Sequence, residues 1–543
     1  MSRSTCSPEQ GSPRRERTDN SDRKDCAVDI GIDLGTTYSC AMHHGRDGSD
    51  ELIRSSEGSE LTPSVVCFNA DGSVLVGASA KRRLRTDPDN VVVGIKRHMG
   101  TDHVLEFHGT RYTPEAISGI VLKRLAMDAR AHFGPGPAPV RAVITVPAYF
   151  GVAEKEATHA AARIAGLECL ELLAEPVAAA YAYGADPSDQ DASLVFDLGG
   201  GTFDVAVVGM VDRRPRIWAV DGETRLGGLD WDQRLFDLLW ERLLAQGVDE
   251  DALYEEEFSA ALQAESEFLK RNLSVHEAGR ARIRHDGRTH TVGITRAVFE
   301  EATSDLVAQC LDAAKRVMET ARSLGARPVA RVLLVGGSTR MPMIRASLEA
   351  GLALPVVIHD PDKAVARGAA VLASALSAKG GAWGGHPHGT AAARRITPVL
   401  PKAIGIKIHS SALPLRPEPY VRNIVPQNTP LPVTAKRVTV ATVVADQERA
   451  RIELYEQAGA TVSEDVDANR LLFDGEVTGM APAPAGSPIH LAVTVRIDGR
   501  IDVGATDGTT NRPLRLEAFI HGVIDEGELA EQAANVSGLM MAP

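Results

Sequence analysis

The chain has 543 residues, of which 44% are hydrophobic and 24% are charged, and its formal net charge is −13. This length predicts two or more domains with a large core, and the acidic balance gives no support to nucleic-acid binding, although it does not exclude a local basic patch. The six cysteines are scattered without a C-x-x-C pair, which argues against a structural zinc site. No apolar run reaches the length of a membrane span and the N-terminus has no secretory pattern, so we expect a cytoplasmic protein.

Residues 1–27 are mostly small, polar and charged, which predicts a disordered tail. The fold is expected to begin at Val28. Two stretches, 28–40 and 194–208, then share one pattern, in which an apolar strand leads into an aspartate, a glycine turn, a threonine and a second strand. The repeat predicts an internally duplicated α/β domain whose two turns face each other.

A glycine turn lets backbone N–H groups approach an anion closely, because no Cβ is in the way. In the second stretch Asp197 and Asp204 bracket three glycines, so a phosphate and a divalent cation could meet there. A plain glycine-rich β-hairpin is the alternative for one copy taken alone. The sequence contains no G-x-x-x-x-G-K-[ST] motif, which excludes a P-loop, and no dinucleotide fingerprint after a strand.

Between the two hairpins the pattern predicts a helix over 114–132, a buried strand over 140–149, a helix over 152–165 and a further helix beginning at Glu175. After the second hairpin, helices are expected near 230–245 and 254–274. A buried strand near 332–335 then leads into Gly336 and Gly337, a third turn suited to an anion.

The composition changes near residue 378. Residues 379–397 are rich in Gly, His, Pro, Ala and Arg and predict a flexible linker. From 398 to 521 the apolar residues alternate with polar ones and are separated by turns, which predicts a β-sandwich. Residues 522–543 are expected to be a short tail with one acidic helical piece.

Taken together, these stretches resemble the 70-kDa heat-shock chaperones (the Hsp70 family) over nearly all of 28–521. The resemblance rests on I-G-I-D-L-G-T-T-Y-S (30–39), A-V-I-T-V-P-A-Y-F (142–150), A-E-P-V-A-A-A-Y-A-Y-G (174–184), F-D-L-G-G-G-T-F-D-V (196–205), L-V-G-G-S-T-R-M-P (334–342) and D-P-D-K-A-V-A-R-G-A-A-V (360–371). The hairpin pattern alone would also suit sugar kinases and actin-like filaments, but the joint set of motifs is specific to this family.

The resemblance implies an α/β actin-like (duplicated RNase H-like) ATPase domain over 28–378, followed by an all-β sandwich domain that binds extended apolar peptide segments of client proteins. It implies ATP/ADP, Mg²⁺ and K⁺ as cofactors. The phosphate turns would be formed by Gly35, Thr36, Thr37, Tyr38, Gly199, Gly200, Gly201 and Thr202. The adenosine site would be formed by Glu267, Lys270, Arg271, Ser274, Gly336, Gly337, Ser338, Arg340 and Asp362.

By the same resemblance, Lys96 would reach the γ-phosphate and offset the charge that develops there. Asp33, Glu175 and Asp197 would hold Mg²⁺ largely through its waters. Asp33, Asp197 and Thr202 would lie near K⁺. Hydrolysis would therefore depend on Lys96, Asp33, Glu175, Asp197, Asp204 and Thr202.

The chain departs from the family pattern in its linker, which is longer and basic, and at Glu171, where bacterial members usually carry an arginine that docks a J-domain cochaperone. The resemblance implies J-domain and nucleotide-exchange cochaperones as partners, and neither nucleic acid nor membrane; docking of a J-domain is in doubt because of Glu171. The helical lid is expected to be absent. Alternatives to an ATP-dependent chaperone are a regulatory or scaffold module gated by ATP or ADP, and a small-molecule kinase, which should lack the β-domain.

A rough alignment places five apolar side chains of the β-domain on a peptide groove, with Ala450 where a larger aliphatic residue usually stands. The five are Ile404, Ile406, Val440, Ile452 and Phe473. The alternative is that these side chains fill the core of the sandwich.

Overall fold

The structure is a computed structural model that describes residues 27–134, 139–183, 191–211, 214–358, 360–377, 398–409, 418–459, 461–497, 499–522 and 524–542. The predicted linker and nearly all of the predicted N-terminal tail lie outside the described residues. Among the described residues, no helix combines the length and the apolar character needed to cross a bilayer.

The elements from Val28 to Ala182 form lobe I. Its strands are β1 (Val28–Asp33), β2 (Tyr38–His44), β3 (Asp50–Ile53), β4 (Thr62–Pro63), β5 (Val66–Phe68), β6 (Ser73–Val76), β7 (Val91–Val92), β8 (Leu105–Phe107), β9 (Thr110–Tyr112), β10 (Val140–Val146) and β11 (Glu168–Ala174). Its helices are α1 (Ala78–Arg83), α2 (Pro114–Phe133), α3 (Val152–Ile164) and α4 (Glu175–Ala182).

The elements from Ala192 to Ser377 follow lobe I. The strands are β12 (Ala192–Leu198), β13 (Phe203–Val211), β14 (Arg214–Glu223), β15 (Ala278–His285), β16 (Arg288–Thr295), β17 (Val329–Val335) and β18 (Val356–Ile358). The helices are α5 (Gly228–Ala245), α6 (Glu256–Val275), α7 (Arg296–Ala302), α8 (Ser304–Ser323), α9 (Pro342–Leu352) and α10 (Ala364–Ser377). All of these except α10 form lobe II; α10 packs on β1 and α4 of lobe I.

The two lobes share one plan, as the repeated hairpin predicted. In lobe I the central strand β1 pairs antiparallel with β2 and parallel with β10. In lobe II the central strand β12 pairs antiparallel with β13 and parallel with β17. Each central strand is buried on both faces, which explains its continuous apolar run. The carboxyl ends of β1 and β12 therefore present their glycine turns at corresponding places in the two lobes.

The β-domain consists of β19 (Ile404–Ile408), β20 (Tyr420–Val425), β21 (Val433–Ala441), β22 (Arg449–Gln457), β23 (Asn469–Thr478), β24 (Pro488–Val495), β25 (Ile501–Asp507) and β26 (Pro513–Ile520). These strands form one antiparallel sheet in the order β20-β19-β22-β23-β26-β25-β24-β21, folded around an apolar core. Ile404, Ile406, Ile452 and Phe473 are buried in that core, and Val440 packs against it. Their burial agrees with the alternative that these side chains fill the sandwich.

The C-terminal segment differs from the expected tail because it is packed against lobe I. It contains α11 (Glu526–Gly538) and β27 (Met540–Met541). Leu529 and Val536 of α11 are buried in the apolar cluster of lobe I, and β27 pairs parallel with β6. The expected acidic helical piece corresponds to α11, but the surface on which it docks is formed by residues that are distant in sequence.

The β-domain contacts lobe I through a buried ion cluster formed by Glu154, Lys402, Glu456 and Arg470. The Arg470 guanidinium lies 3.0 Å from one Glu154 carboxylate oxygen, and Lys402 Nζ lies 3.3 Å from the other. Burial opposes ionisation of Glu154, but Lys402 and Arg470 outweigh it and lower the pKa of this carboxyl to about 2. The Glu154 charge is thus stabilised by the neighbouring domain.

Candidate functional site

The two predicted glycine turns face each other across the cleft between the lobes. A Cβ added at Gly200 would collide with the side chain of Thr37, and one added at Gly201 would collide with Thr36. Only glycine allows this approach. Thr37 Oγ1, which stands against Gly200, is buried without a hydrogen-bond partner among the described residues. An anionic group held between the turns would satisfy it.

Acidic side chains gather beside these turns, at the ends of the central strands and the start of α4. Asp33 ends β1, Asp197 lies near the end of β12 and Glu175 is the first residue of α4. Burial, followed by repulsion from Glu175, raises the pKa of Asp33 to about 7. The same two causes raise the pKa of Asp197 well above its ordinary value. The lobes thus bury together carboxyl groups that resist ionisation, and a bound cation would stabilise their charged forms.

Lys96 supplies a positive charge to this acidic group. It lies in the 3₁₀ turn Ile95–His98 of lobe I, and its Nζ donates to Glu175 Oε1 at 2.8 Å. The neighbouring Arg97 donates from Nε to the carbonyl oxygen of Gly201 at 2.9 Å, and its other nitrogen contacts Asp230 at 2.6 Å. The turn that carries Lys96 is therefore attached directly to the glycine turn of lobe II.

A cavity lies in the cleft between the two lobes. Asp204 and Gly201 were predicted as site residues, but neither lines this cavity. Asp204 is buried opposite Asp197 in the β12–β13 pair, where one of its oxygens accepts the backbone N–H of Tyr149 at 2.8 Å. Burial raises the pKa of Asp204 to about 8, with Glu175 the next cause. Asp204 therefore connects the lobe II hairpin to the loop that precedes α3.

The residues predicted for adenosine lie at the other end of the same cleft. Glu267, Lys270, Arg271 and Ser274 lie on α6. The turn after β17 contributes Gly336, Gly337, Ser338 and Arg340, and the segment just before α10 contributes Asp362.

Ion pairs and hydrogen bonds hold this end of the cleft together. Lys81 of lobe I contacts the Glu267 carboxylate at 2.6 Å, and Arg271 donates to the Tyr38 hydroxyl at 2.7 Å. These contacts join lobe I to α6 across the cleft.

One cavity of about 510 Å³ connects the two ends of the cleft, a size typical of small-molecule sites. Its wall includes the predicted residues Asp33, Gly35, Thr36, Thr37, Tyr38, Lys96, Glu175, Asp197, Gly199, Gly200, Thr202, Glu267, Lys270, Arg271, Ser274, Gly336, Gly337, Ser338, Arg340 and Asp362. The structure therefore brings together side chains from widely separated parts of the sequence.

Sequence reasoning missed part of this wall. The additional lining residues are Leu61, Leu229, Asp232, Val275, Val335, Met341, Pro361 and Val365. Asp232 is buried, pairs with Lys270 at 2.8 Å and has an unpartnered oxygen among the described residues. The G-G-L-D-W-D run that contains it, at the start of α5, was the available signal. Four apolar members lie within the motifs 334–342 and 360–371, but nothing in their pattern distinguished them from core residues; they are Val335, Met341, Pro361 and Val365.

Among the described residues, no group of three or more His, Cys, Asp or Glu side chains is arranged to hold a metal ion directly. The Asp33, Glu175 and Asp197 carboxyls nevertheless fit a hydrated divalent cation, because their charges are buried together and Mg²⁺ keeps several of its waters. The unpartnered Thr37 hydroxyl and the glycine cradle fit the phosphates of a nucleotide.

Comparison with known proteins places this geometry in a family. The sequence model described as Hsp70 protein matches residues 29–106 and 101–528. The chaperone protein DnaK of Thermotoga neapolitana is 35% identical over 493 residues, which cover 88% of this chain and 78% of that protein. The chaperone protein DnaK of Thermotoga petrophila has the same identity and coverage. The chain therefore belongs to the Hsp70 family.

Proposed function

We propose that the chain is an ATP-dependent molecular chaperone that hydrolyses ATP between lobes I and II and thereby controls the binding of extended apolar peptide segments by the β-domain. The observation that carries this proposal is that two glycine turns face each other beside the buried ion pair of Lys96 and Glu175. Residues 28–378 would form the ATPase domain and residues 398–521 the peptide-binding domain.

Each end of the cavity has a role in this proposal. The backbone of Gly35, Gly199 and Gly200 would hold the phosphates, while α6 and the turn at Gly336 would hold the adenosine. Lys96 would stabilise the charge that develops on the γ-phosphate. Asp33, Glu175 and Asp197 would hold hydrated Mg²⁺, and K⁺ would bind near Asp33, Asp197 and Thr202. The metal would supply charge neutralisation at the phosphates.

Asp204 has a supporting role in this proposal. It would keep the lobe II hairpin in place through its bond to the backbone of Tyr149. Gly201 would let that hairpin approach Thr36 closely. Neither residue needs to touch the nucleotide for these roles.

Cochaperones are the expected partners of this chain, and we consider next which kind of cochaperone it binds. Glu171 lies on β11 opposite Val143, at the outer part of the lobe I sheet. We propose that its negative charge weakens docking of a general J-domain protein and favours a dedicated partner. Normal stimulation of ATP turnover by a general J-domain protein would contradict this. The expected location in the cytoplasm stays a prediction.

The test is single-turnover hydrolysis of ATP by the full chain, with and without an extended apolar peptide. We expect slow basal hydrolysis that the peptide accelerates, because the β-domain contacts lobe I through the Glu154 cluster. Slow hydrolysis whose rate does not change with the peptide would favour the alternative of a nucleotide-gated regulatory or scaffold module. Absence of hydrolysis together with phosphate transfer to a sugar would favour a kinase.

A further inference from the structure

The outer face of the hairpin formed by β15 and β16 carries a row of arginines. Arg280, Arg282 and Arg284 alternate along β15 with Ala281 and Ile283. The two apolar residues are buried in the core of lobe II, whereas the three arginines are exposed. Because alternate residues of a strand share one face, the three guanidinium groups project from the same side. We call Arg280, Arg282 and Arg284 the arginine ladder.

The strand opposite the ladder contributes no negative charge to this face. Arg280 stands opposite Gly293, Arg282 opposite Thr291 and Arg284 opposite Thr289. Within the described part of the chain, no ion pair or side-chain hydrogen bond is found for any of the three guanidinium groups. A chain with a net charge of −13 thus keeps three unpaired cations side by side. Exposed like charges repel each other, so this arrangement favours an anionic partner.

Both edges of the hairpin are already occupied by side chains of lobe II. The backbone N–H of Arg282 donates to Glu265 Oε2 of α6 at 3.1 Å. On the other edge, Gln246 of α5 donates to the carbonyl oxygen of Thr291 at 3.2 Å, and Arg242 donates to that of Gly293. These contacts block strand addition at the positions that they occupy. A partner would therefore bind to the side-chain face.

We propose that the arginine ladder binds an extended acidic segment of a partner protein. Alternate residues are about 6.8 Å apart in any extended strand, so carboxylates at alternate positions of the segment match the spacing of the guanidinium groups. Arginine forms charge-assisted and often bidentate hydrogen bonds with carboxylates. The hydroxyls of Thr289 and Thr291 add neutral donors on the same face.

The chemistry of this face favours a peptide over a single-stranded nucleic acid. Proteins that bind single strands usually combine basic groups with aromatic side chains on which bases stack. The positions opposite the ladder are Thr289, Thr291 and Gly293, so they offer no stacking surface. The negative charge of the whole chain also opposes a long polyanion. A short acidic peptide needs only the local ladder.

The experiment measures fluorescence anisotropy of a labelled peptide of alternating glutamate and threonine, titrated with the full chain at low salt. The test variant combines Arg280→Gln, Arg282→Gln and Arg284→Gln. The matched control combines Arg46→Gln, Arg111→Gln and Arg130→Gln, which removes the same charge from exposed sites elsewhere. We expect the test variant to weaken binding about tenfold, because three exposed ion pairs are lost. The control should change binding less than about twofold.

Three outcomes would overturn the proposal. The first is equal weakening by both variants, which would mean that only the overall charge matters. The second is tighter binding of a labelled oligothymidylate than of the peptide, which would assign the ladder to nucleic acid. The third is a dimer of the wild-type chain in sedimentation that the test variant abolishes, which would assign the ladder to a second copy. An unchanged melting temperature and unchanged ATP binding verify that the variants are folded.

Discussion

Lys96 donates a hydrogen bond to Glu175 at 2.8 Å, and their side chains are only 6% and 8% exposed. The two residues come from different elements of lobe I, the 3₁₀ turn Ile95–His98 and the first turn of α4. A buried ion pair of this kind is costly to form and more costly to break on one side. The pair lies beside the facing glycine turns, where the proposed function gives it a chemical role.

We expect Lys96→Ala to reduce single-turnover ATP hydrolysis by about 10²–10³-fold, the usual effect of removing one group that stabilises transition-state charge. ATP affinity should change much less, because the adenosine end of the cavity is untouched. The measurements are single-turnover hydrolysis and equilibrium binding of a fluorescent nucleotide. Lys436→Ala, on exposed β21, is the control. Hydrolysis at the wild-type rate in Lys96→Ala would refute the role of this side chain.

Gly200→Ala should weaken nucleotide binding about tenfold or more, because the added methyl group collides with Thr37 and overpacking of this kind costs about 1–3 kcal/mol. The collision forces the two turns apart. Gly504→Ala is the matched control, since a Cβ there meets nothing within 4 Å. Titration with a fluorescent ATP analogue measures both affinities. If the two variants bound equally well, the facing-turn geometry could not be what holds the phosphates.

The hairpins at Asp33 and Asp197 could be predicted because their signals are local. An apolar strand, an aspartate and a glycine turn stand next to each other in the sequence, and the repeat indicates that they belong together. Asp232 and Leu229 could not be assigned to the cavity in the same way. Their place depends on how α5 begins against the turn at Gly200, where Leu229 N–H donates to the Gly200 carbonyl oxygen at 2.8 Å.

Contacts between distant elements could not be predicted from the sequence either. Glu154 has the pattern of an ordinary acidic residue in the first turn of a helix. Its partner Arg470 lies 316 residues later. The docking of α11 on lobe I likewise depends on the shape of a surface, and its two buried residues, Leu529 and Val536, have a spacing that suits any amphipathic helix.

Glu154→Gln should lower the free energy of unfolding by about 3–5 kcal/mol at neutral pH. The substitution removes the negative charge that offsets the buried positive charges of Lys402 and Arg470. The pKa of Glu154 is lowered from its usual 4.5 to about 2 in the folded chain. A lowered pKa contributes stability above the unfolded value, and this contribution is lost as pH falls through the folded value. The difference between wild type and variant should therefore be constant above about pH 5 and shrink toward pH 2.

Thermal melting from neutral to acidic pH measures this difference. Arg449→Gln is the control, because its pair with Glu476 is exposed and should contribute about 0–1 kcal/mol. A wild-type advantage over Glu154→Gln that stays constant down to pH 2 would show that the Glu154 charge is not the source of the stability.

Val536→Ala should destabilise lobe I by about 1.5 kcal/mol, since it removes two buried methyl groups from the apolar cluster beneath α11. The variant should also expose the C-terminal segment to limited proteolysis earlier than in the wild type. Val462→Ala removes the same groups from a side chain that is 52% exposed, so it serves as the control. Equal melting temperatures for the two variants would mean that α11 does not pack on lobe I.

The docking of α11 limits how far the β-domain can move away from lobe I. The β-domain lies in sequence between α10 and α11, and both helices pack on lobe I. The β-domain is therefore an insertion in the chain, and the helices that flank it on both sides are held on lobe I. On the α11 side only five residues separate the end of β26 at Ile520 from Glu526, and fully extended this connection reaches about 21 Å. While α11 stays seated, the β-domain can pivot but cannot move farther away, so complete separation first requires Leu529 and Val536 to leave the apolar cluster.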